Sequence, residues 1–251
     1  MNKFISKRSV AIWYALTALL TTVLVGQVIL WFFPDGSSLG ASLLFLLMNL
    51  IPMIVAAVFS MVLSEVNSLG EFFKKVFLQK ESSLSWILAF FIPVIYYGIS
   101  ILLMNVRFTG NSLMAFFLYL PWTFLYGGLE EVGWRWFLQD HLSFSKHFIP
   151  KMMLLSIVWF LWHIPIYRLP WITAGSSNYL IFYLMILGNT FLFGALKEYS
   201  KGAVPCILAH MLIDSLAVLM LVQSSLPQII LLVIFEILVA SWLVAARKSE
   251  K

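Results

Sequence analysis

The chain has 251 residues, of which 62% are hydrophobic and only 11% charged, with a mean hydropathy of +0.96. A soluble domain carries about 25% charged residues, so this composition excludes a water-facing globule and makes the bilayer the natural solvent. The net charge of +5 does not mark a nucleic-acid binder, because there is no basic arm and the positive charges sit in short loops.

A span needs about 20 apolar residues. The first follows Lys3, Lys7 and Arg8 and runs near 10–33. That is longer than the apolar core of a signal peptide, so it reads as an uncleaved first helix. Pro34-Asp35-Gly36-Ser37-Ser38 is a turn, and the second span lies near 39–64. Residues 65–83 mix Phe72, Phe73, Val76 and Phe77 with Lys74, Lys75 and Lys80, which suits either a short amphipathic helix in the interface or a polar loop. Further spans fall near 84–104, 112–138, 150–166, 178–196, 203–222 and 227–246, with Pro165 expected to end the fifth. No repeat or soluble segment interrupts them. Residues 1–251 thus read as a single all-α integral membrane domain, a polytopic transmembrane helix bundle of about eight spans. The one cysteine, Cys206, excludes an intramolecular disulfide.

Loop charges suggest an orientation. With a cytoplasmic N-terminus, the inside loops hold Lys3, Lys7, Arg8, Lys74, Lys75, Lys80, Lys146, Lys151, Lys197, Lys201, Arg247, Lys248 and Lys251, and the outside loops hold only Arg107 and Arg168, or 13 against 2. Positive residues concentrate on the cytoplasmic side of membrane proteins. Both termini are therefore expected in the cytoplasm, and a bacterial plasma membrane is the expected location.

Against this background the ionisable residues inside spans stand out. A charge at the bilayer centre costs roughly 2.5–3.5 kcal/mol, so each is a functional candidate. In the fourth span Glu131 and Arg135 are four apart and face each other on the helix. Glu130, about 100° further round, has no such cation and is left free for chemistry. The plainer alternative makes all three a structural ion-pair cluster. His163 lies among aromatics in the fifth span, and His210 and Asp214 are four apart in the seventh. An Asp beside a His can orient it and stabilise its charged form. At 1.5 Å per residue, Glu130 lies about 14 Å from Gln139, His210 about 14 Å from Lys201 and His163 about 18 Å from Lys151. Similar depths on three helices point to one shared site, expected to open toward the cytoplasm. Asn49 and Asn189 read as interhelical hydrogen-bonding residues. His141 and His147 read as solvated loop residues, and Glu236 as an interior residue paired with Arg135 or a histidine.

A buried carboxylate suits a general base working near neutral pH. Two histidines can donate to an oxyanion or shuttle a proton. Glu with two His is also a three-ligand zinc set. Either arrangement activates water, and the natural membrane substrate is a peptide bond. Neither HExxH nor GxSxG is present.

Glu130-Glu131-x-x-x-Arg135, the aromatic-x-x-x-His of Trp159 to His163, and His210-x-x-x-Asp214 resemble, in order, the three motifs of the CPBP family. This group of CAAX proteases and bacteriocin-processing enzymes, also called the Abi family, includes the type II CAAX prenyl endopeptidases. The resemblance covers about residues 80–222, with the motifs inside 120–222. It implies an intramembrane endopeptidase in which Glu130 activates water and His163 positions or protonates. His210 and Asp214 would stabilise the oxyanion, with Glu131 and Arg135 in support. It leaves open a metal-free glutamate mechanism or a metalloprotease, in which Glu130, His163 and His210 would hold zinc. Two positions depart from the motifs. Trp159 stands where the family usually has Phe, an exchange of one aromatic for another. Asp214 stands where Asn is frequent, and an ionised Asp cannot donate to an oxyanion. The expected partners are the bilayer and a membrane-associated peptide, prenylated CAAX-type or bacteriocin-like, with no nucleic acid. The same buried carboxylates would also serve a proton-coupled transporter, and a non-catalytic immunity or scaffold protein is the third reading.

Overall fold

Side-chain oxygens mark several points where the chain turns into helix. Ser38, Ser68 and Ser82 each accept from a backbone N–H three residues on, at 3.1 Å, and Asn178 Oδ1 accepts from Leu180 and Ile181. These oxygens satisfy donors that a helix start leaves unpaired. The computed structural model describes residues 9–36, 38–103, 106–142, 147–172, 178–222 and 225–249. Its elements in order are α1 (Val10–Phe32), α2 (Leu39–Val62), α3 (Leu69–Phe77), α4 (Ser83–Leu102), β1 (Val106–Phe108) and α5 (Leu113–Thr123). Two π-helical stretches follow, Phe124–Gly128 and Val132–Leu138, and then α6 (Gln139–His141), α7 (Phe148–Tyr167), α8 (Tyr179–Tyr199), α9 (Val204–Leu216), β2 (Met220–Val222) and α10 (Leu226–Ser249).

The fold is an all-α polytopic bundle. Helices α1, α2, α4, α7, α8 and α10 are long and apolar enough to cross a membrane, while Leu113–Gly128 and Val204–Leu216 are shorter apolar helices. These two stand where the fourth and seventh spans are expected. Helix α8 packs against α7, α9, α10 and α4, and its Phe191, Leu192, Phe193, Ala195 and Leu196 are fully buried. The rim is apolar instead of charged: Leu24, Phe90, Leu238 and Trp242 are exposed, as helices that meet lipid require.

Several details differ from the sequence reading. Helix α7 runs through Pro165 to Tyr167, because a proline in the last turn removes only one late hydrogen bond. Helix α9 stops at Leu216, and residues 220–222 form β2, antiparallel to β1 with Arg107 opposite Leu221. In segment 65–83, by contrast, one of the two expected forms is present: the amphipathic helix α3 buries Phe72 and Val76 and exposes Lys74 and Lys75. His141 is not a solvated loop residue: its Nδ1 lies 2.8 Å from the Phe137 carbonyl oxygen and its Nε2 2.8 Å from Glu65 Oε1. Asn49 donates within its own helix, to the Phe45 carbonyl at 2.8 Å, instead of across helices. The Asn189 Oδ1 has no hydrogen bond among the described residues. Glu236 is fully buried against Gly188 and bonds neither Arg135 nor a histidine, because Arg135 is taken by Glu131 on its own helix.

The bundle has two distinct ends. At one, Glu81 accepts from the backbone N–H groups of Lys201 and Gly202, Lys197 pairs with Asp140 at 3.0 Å, and Tyr199 donates to the Leu243 carbonyl. This end carries α3, the start of α7 and the end of α10. At the other end, β1 pairs with β2, Thr109 and Asn111 donate to the Val218 carbonyl, and Gln228 donates to Leu103. The described loop lysines Lys74, Lys75, Lys80, Lys151, Lys197 and Lys201, with Arg247 and Lys248, belong to the first end; Arg107 and Arg168 belong to the second. The remaining residues of the loop-charge count, Lys3, Lys7, Arg8, Lys146 and Lys251, lie outside the described residues.

Candidate active site

The site is organised by the element from Leu113 to His141. Its winding is irregular: Leu129 N–H donates five residues back, to the Phe124 carbonyl at 3.0 Å, and Glu130 and Glu131 sit between the two π-helical stretches. Such wide turns are rare and concentrate at functional sites. Glycines decide how close this element comes to its neighbours. A Cβ on Gly127 would strike Asp214 Oδ2 and lie 3.3 Å from His210 Nε2. A Cβ on Gly133 would strike the Tyr14 hydroxyl and Pro52. The first bare position lets α9 bring its polar pair against the fourth span, and the second seats α1 and α2 behind it.

The two adjacent carboxylates have different surroundings. Glu131 is fully buried, with Oε2 2.9 Å from Arg135 Nε and Oε1 2.9 Å from His210 Nδ1. It therefore joins the first and third motifs. The Arg135 guanidinium carbon lies 4.8 Å from the Trp159 ring centre and 5.6 Å from that of Phe193, a cation held by an anion and two ring faces. Glu130 has no cation of its own on its helix. Its Oε2 accepts from two indoles, Trp159 Nε1 at 3.1 Å and Trp134 Nε1 at 3.4 Å. Among the described residues nothing hydrogen-bonds to its Oε1, although the residue is only 2% exposed.

The histidines are held differently as well. The Nδ1 of His163 lies 2.8 Å from the Trp159 carbonyl oxygen. A carbonyl only accepts, so Nδ1 carries the proton and Nε2 is the nitrogen left for other partners. Its ring stacks on Tyr167 and meets Phe182 edge-on. The imidazole of His210 lies between two carboxylates, with Nε2 3.5 Å from Asp214 Oδ2 opposite the closer Glu131 contact at Nδ1. Asp214 is 40% exposed, toward the space that the site encloses.

That space is a cavity of about 470 Å³, within the range of small-molecule and peptide sites. Glu130, His163, His210 and Asp214 all line it, whereas Glu131 and Arg135 stand behind the wall. Trp159 is the shared contact: its N–H reaches Glu130, its carbonyl holds His163, and its ring meets His210 at 5.5 Å. Reading Trp159 as an aromatic equivalent of Phe misses the N–H that Phe lacks. Asn49, Asn189, Tyr97 and Tyr126 also line the cavity. No sequence motif marks them, since each becomes part of the site only through helix packing. Among the described residues no group of three His, Cys, Asp or Glu side chains is arranged to hold a metal ion. Of the residues named for zinc, Glu130 Oε2 is taken by two indoles, His163 Nδ1 by the Trp159 carbonyl and His210 Nδ1 by Glu131, which leaves Glu130 Oε1, His163 Nε2 and His210 Nε2 as the donors that a three-ligand site would use.

The cavity extends toward the end of the bundle that carries the β1–β2 pair. Besides the site residues, the cavity is lined by Ile166, Tyr167, Ile172, Asn178, Leu221 and Val222, all from the end that carries β1 and β2. Depth measured from the lysine-bearing end concealed this. His163 lies five residues before Arg168, about 8 Å at 1.5 Å per residue, so it is much nearer the opposite end.

Residues 112–216 match the family model described as "Rce1-like: Type II CAAX prenyl endopeptidase Rce1-like". The matched stretch runs from the residue before α5 to the last residue of α9 and includes all three motifs. No curated protein matches the chain.

Proposed function

We propose, from the premise that this match places the chain in the CPBP/CAAX protease family, that it is an intramembrane endopeptidase in which Glu130 activates the hydrolytic water. The family match supports a membrane protease and a membrane-associated substrate. The observation that carries the finer reading is the difference between three carboxylates around one cavity. Glu131 is occupied by Arg135 and His210, and Asp214 faces His210, but Glu130 is held only by neutral N–H donors. It keeps its basicity and one oxygen for water.

In this mechanism Glu130 Oε1 takes a proton from a water as the water oxygen bonds to the scissile carbonyl carbon. The resulting oxyanion accepts from His210 Nε2–H, with the imidazolium stabilised by Glu131 at Nδ1 and by Asp214 beside it. Asp214 thus acts through His210, which accounts for an Asp where an Asn amide is frequent. His163, with Nδ1–H committed to the Trp159 carbonyl, offers Nε2 as an acceptor that positions the water or the substrate amide. Glu130 then passes its proton to the leaving nitrogen as the C–N bond breaks. A fixed base and a positioned water contribute through orientation and proton transfer together.

Glu130→Gln tests the assignment. It keeps the shape and the indole hydrogen bonds, so the protein inserts normally and cleavage of a membrane-anchored peptide reporter is lost. Cleavage at the unaltered rate would sink the proposal. Metal analysis of the active preparation, with activity measured after chelation, tests the metal-free form of the mechanism.

A further inference from the structure

We infer that the cavity is entered from the non-cytoplasmic side of the membrane, so its substrate is a peptide segment presented at the outer surface or in the outer leaflet. The peptide part rests on the protease reading above; the direction of entry does not. Two independent observations are combined. The first is charge: Lys74, Lys75, Lys80, Lys151, Lys197, Lys201, Arg247 and Lys248 lie at one end of the bundle, against Arg107 and Arg168 at the other. Short loops rich in Lys and Arg stay in the cytoplasm. The second is the position of the mouth, whose lining comes from the ends of α7 and α9, the beginning of α8 and strand β2. Those segments are at the end of Arg107 and Arg168.

The opposite direction is closed by packing. From Glu130 toward the lysine-bearing end the same element continues through Val132, Trp134, Phe137 and Leu138, all fully buried. Phe193 and Leu196 of α8, likewise fully buried, belong to the same half. A lipid-anchored peptide confined to the cytoplasmic leaflet meets this closed, basic end. A peptide arriving from the other side meets Tyr167, Phe182, Leu221 and Val222 and then Glu130. Those apolar and aromatic walls favour an uncharged, extended or helical segment with apolar flanks.

Cysteine accessibility tests the direction. Cys206→Ala removes the one native thiol, which is buried. Single cysteines are then placed by Phe108→Cys and Asn111→Cys at the mouth end, and by Lys80→Cys and Lys201→Cys at the basic end, all exposed positions outside the site. A membrane-impermeant maleimide is expected to label the first two in intact cells and the last two only after permeabilisation. The reverse pattern overturns the inference, as does labelling of both pairs in intact cells. Two positions per end keep the result readable if one variant folds poorly. A reporter with its scissile segment on either side of a single-span anchor supplies the second readout. Cleavage only on the outer side supports the inference, and cleavage only on the cytoplasmic side overturns it. Cleavage on neither side counts against the protease reading and leaves the labelling result to decide the direction.

Discussion

Trp159→Phe separates a structural aromatic from a positioning donor. The phenyl ring keeps an apolar wall and restores the residue usual in the motif that the chain resembles, but it lacks the N–H that lies 3.1 Å from Glu130 Oε2. A hydrogen bond to a charged group contributes about 1.5–3 kcal/mol. Trp134 remains as a donor, but at 3.4 Å it is the weaker of the two. The Trp159 ring also lies 4.8 Å from the Arg135 guanidinium carbon, and a poorer ring face there costs about 0.5–1 kcal/mol of stability. The space left by the indole joins the existing cavity and is not sealed, so the penalty of a closed void is avoided. If most of the lost hydrogen bond is felt in the transition state, where Glu130 must face the water, kcat falls by roughly 10- to 150-fold at about 1.4 kcal/mol per decade. KM changes little, because the N–H addresses the base and not the substrate. The assay is steady-state cleavage of a membrane-anchored peptide in defined detergent, with a parallel melting curve. An unchanged kcat would refute the positioning role. So would a loss of activity fully accounted for by unfolding.

Other variants test neighbouring residues. Glu131→Gln leaves Arg135 buried without its anion, and its single amide oxygen cannot accept from both Arg135 and His210, so it is expected to destabilise by about 3–5 kcal/mol; a thermal melt in detergent close to the unaltered protein would contradict the pairing. Gly133→Ala places a methyl against Tyr14 and Pro52 and should cost about 1–3 kcal/mol through overpacking, read as a lower melting temperature with KM unchanged in the protein that remains folded. Asp214→Asn should retain cleavage, since a neutral amide can donate where the carboxylate acted through His210. Asp214→Leu should reduce kcat by about tenfold or more, as loss of a charge-assisted partner implies; equal activity of the two would show that position 214 plays no part.

Much of the site was legible because helices make local neighbours predictable. Residues four apart share a face, so the Glu131–Arg135 and His210–Asp214 pairs follow from spacing, and both are present at 2.9 and 3.5 Å. The same regularity gives depth along a span but not the end at which a cavity opens. Counting residues from the lysine-bearing ends alone leaves out the distance to the other end, which for His163 is the five residues to Arg168, and treats every span as a regular α-helix, whereas the fourth contains π-helical turns and α9 has only 13 residues. The contacts that define the cavity are long-range: Trp159 reaches Glu130 across 29 residues and His210 reaches Glu131 across 79. No periodicity encodes them.

The sequence by itself determined the solvent and the class of fold, because a chain with 11% charged residues and repeated apolar runs can satisfy its backbone in lipid only as helices or a closed barrel, and the run lengths select helices. It also isolated the few ionisable residues whose burial needs a reason. Only the tertiary structure decided which of them meet, that an indole N–H addresses the free carboxylate, and at which end the cavity opens. Helix faces have no partner until glycines such as Gly127 and Gly133 allow particular neighbours to approach. The direction of a cavity depends on where the packed helices part, a property of the assembled bundle that no single span carries.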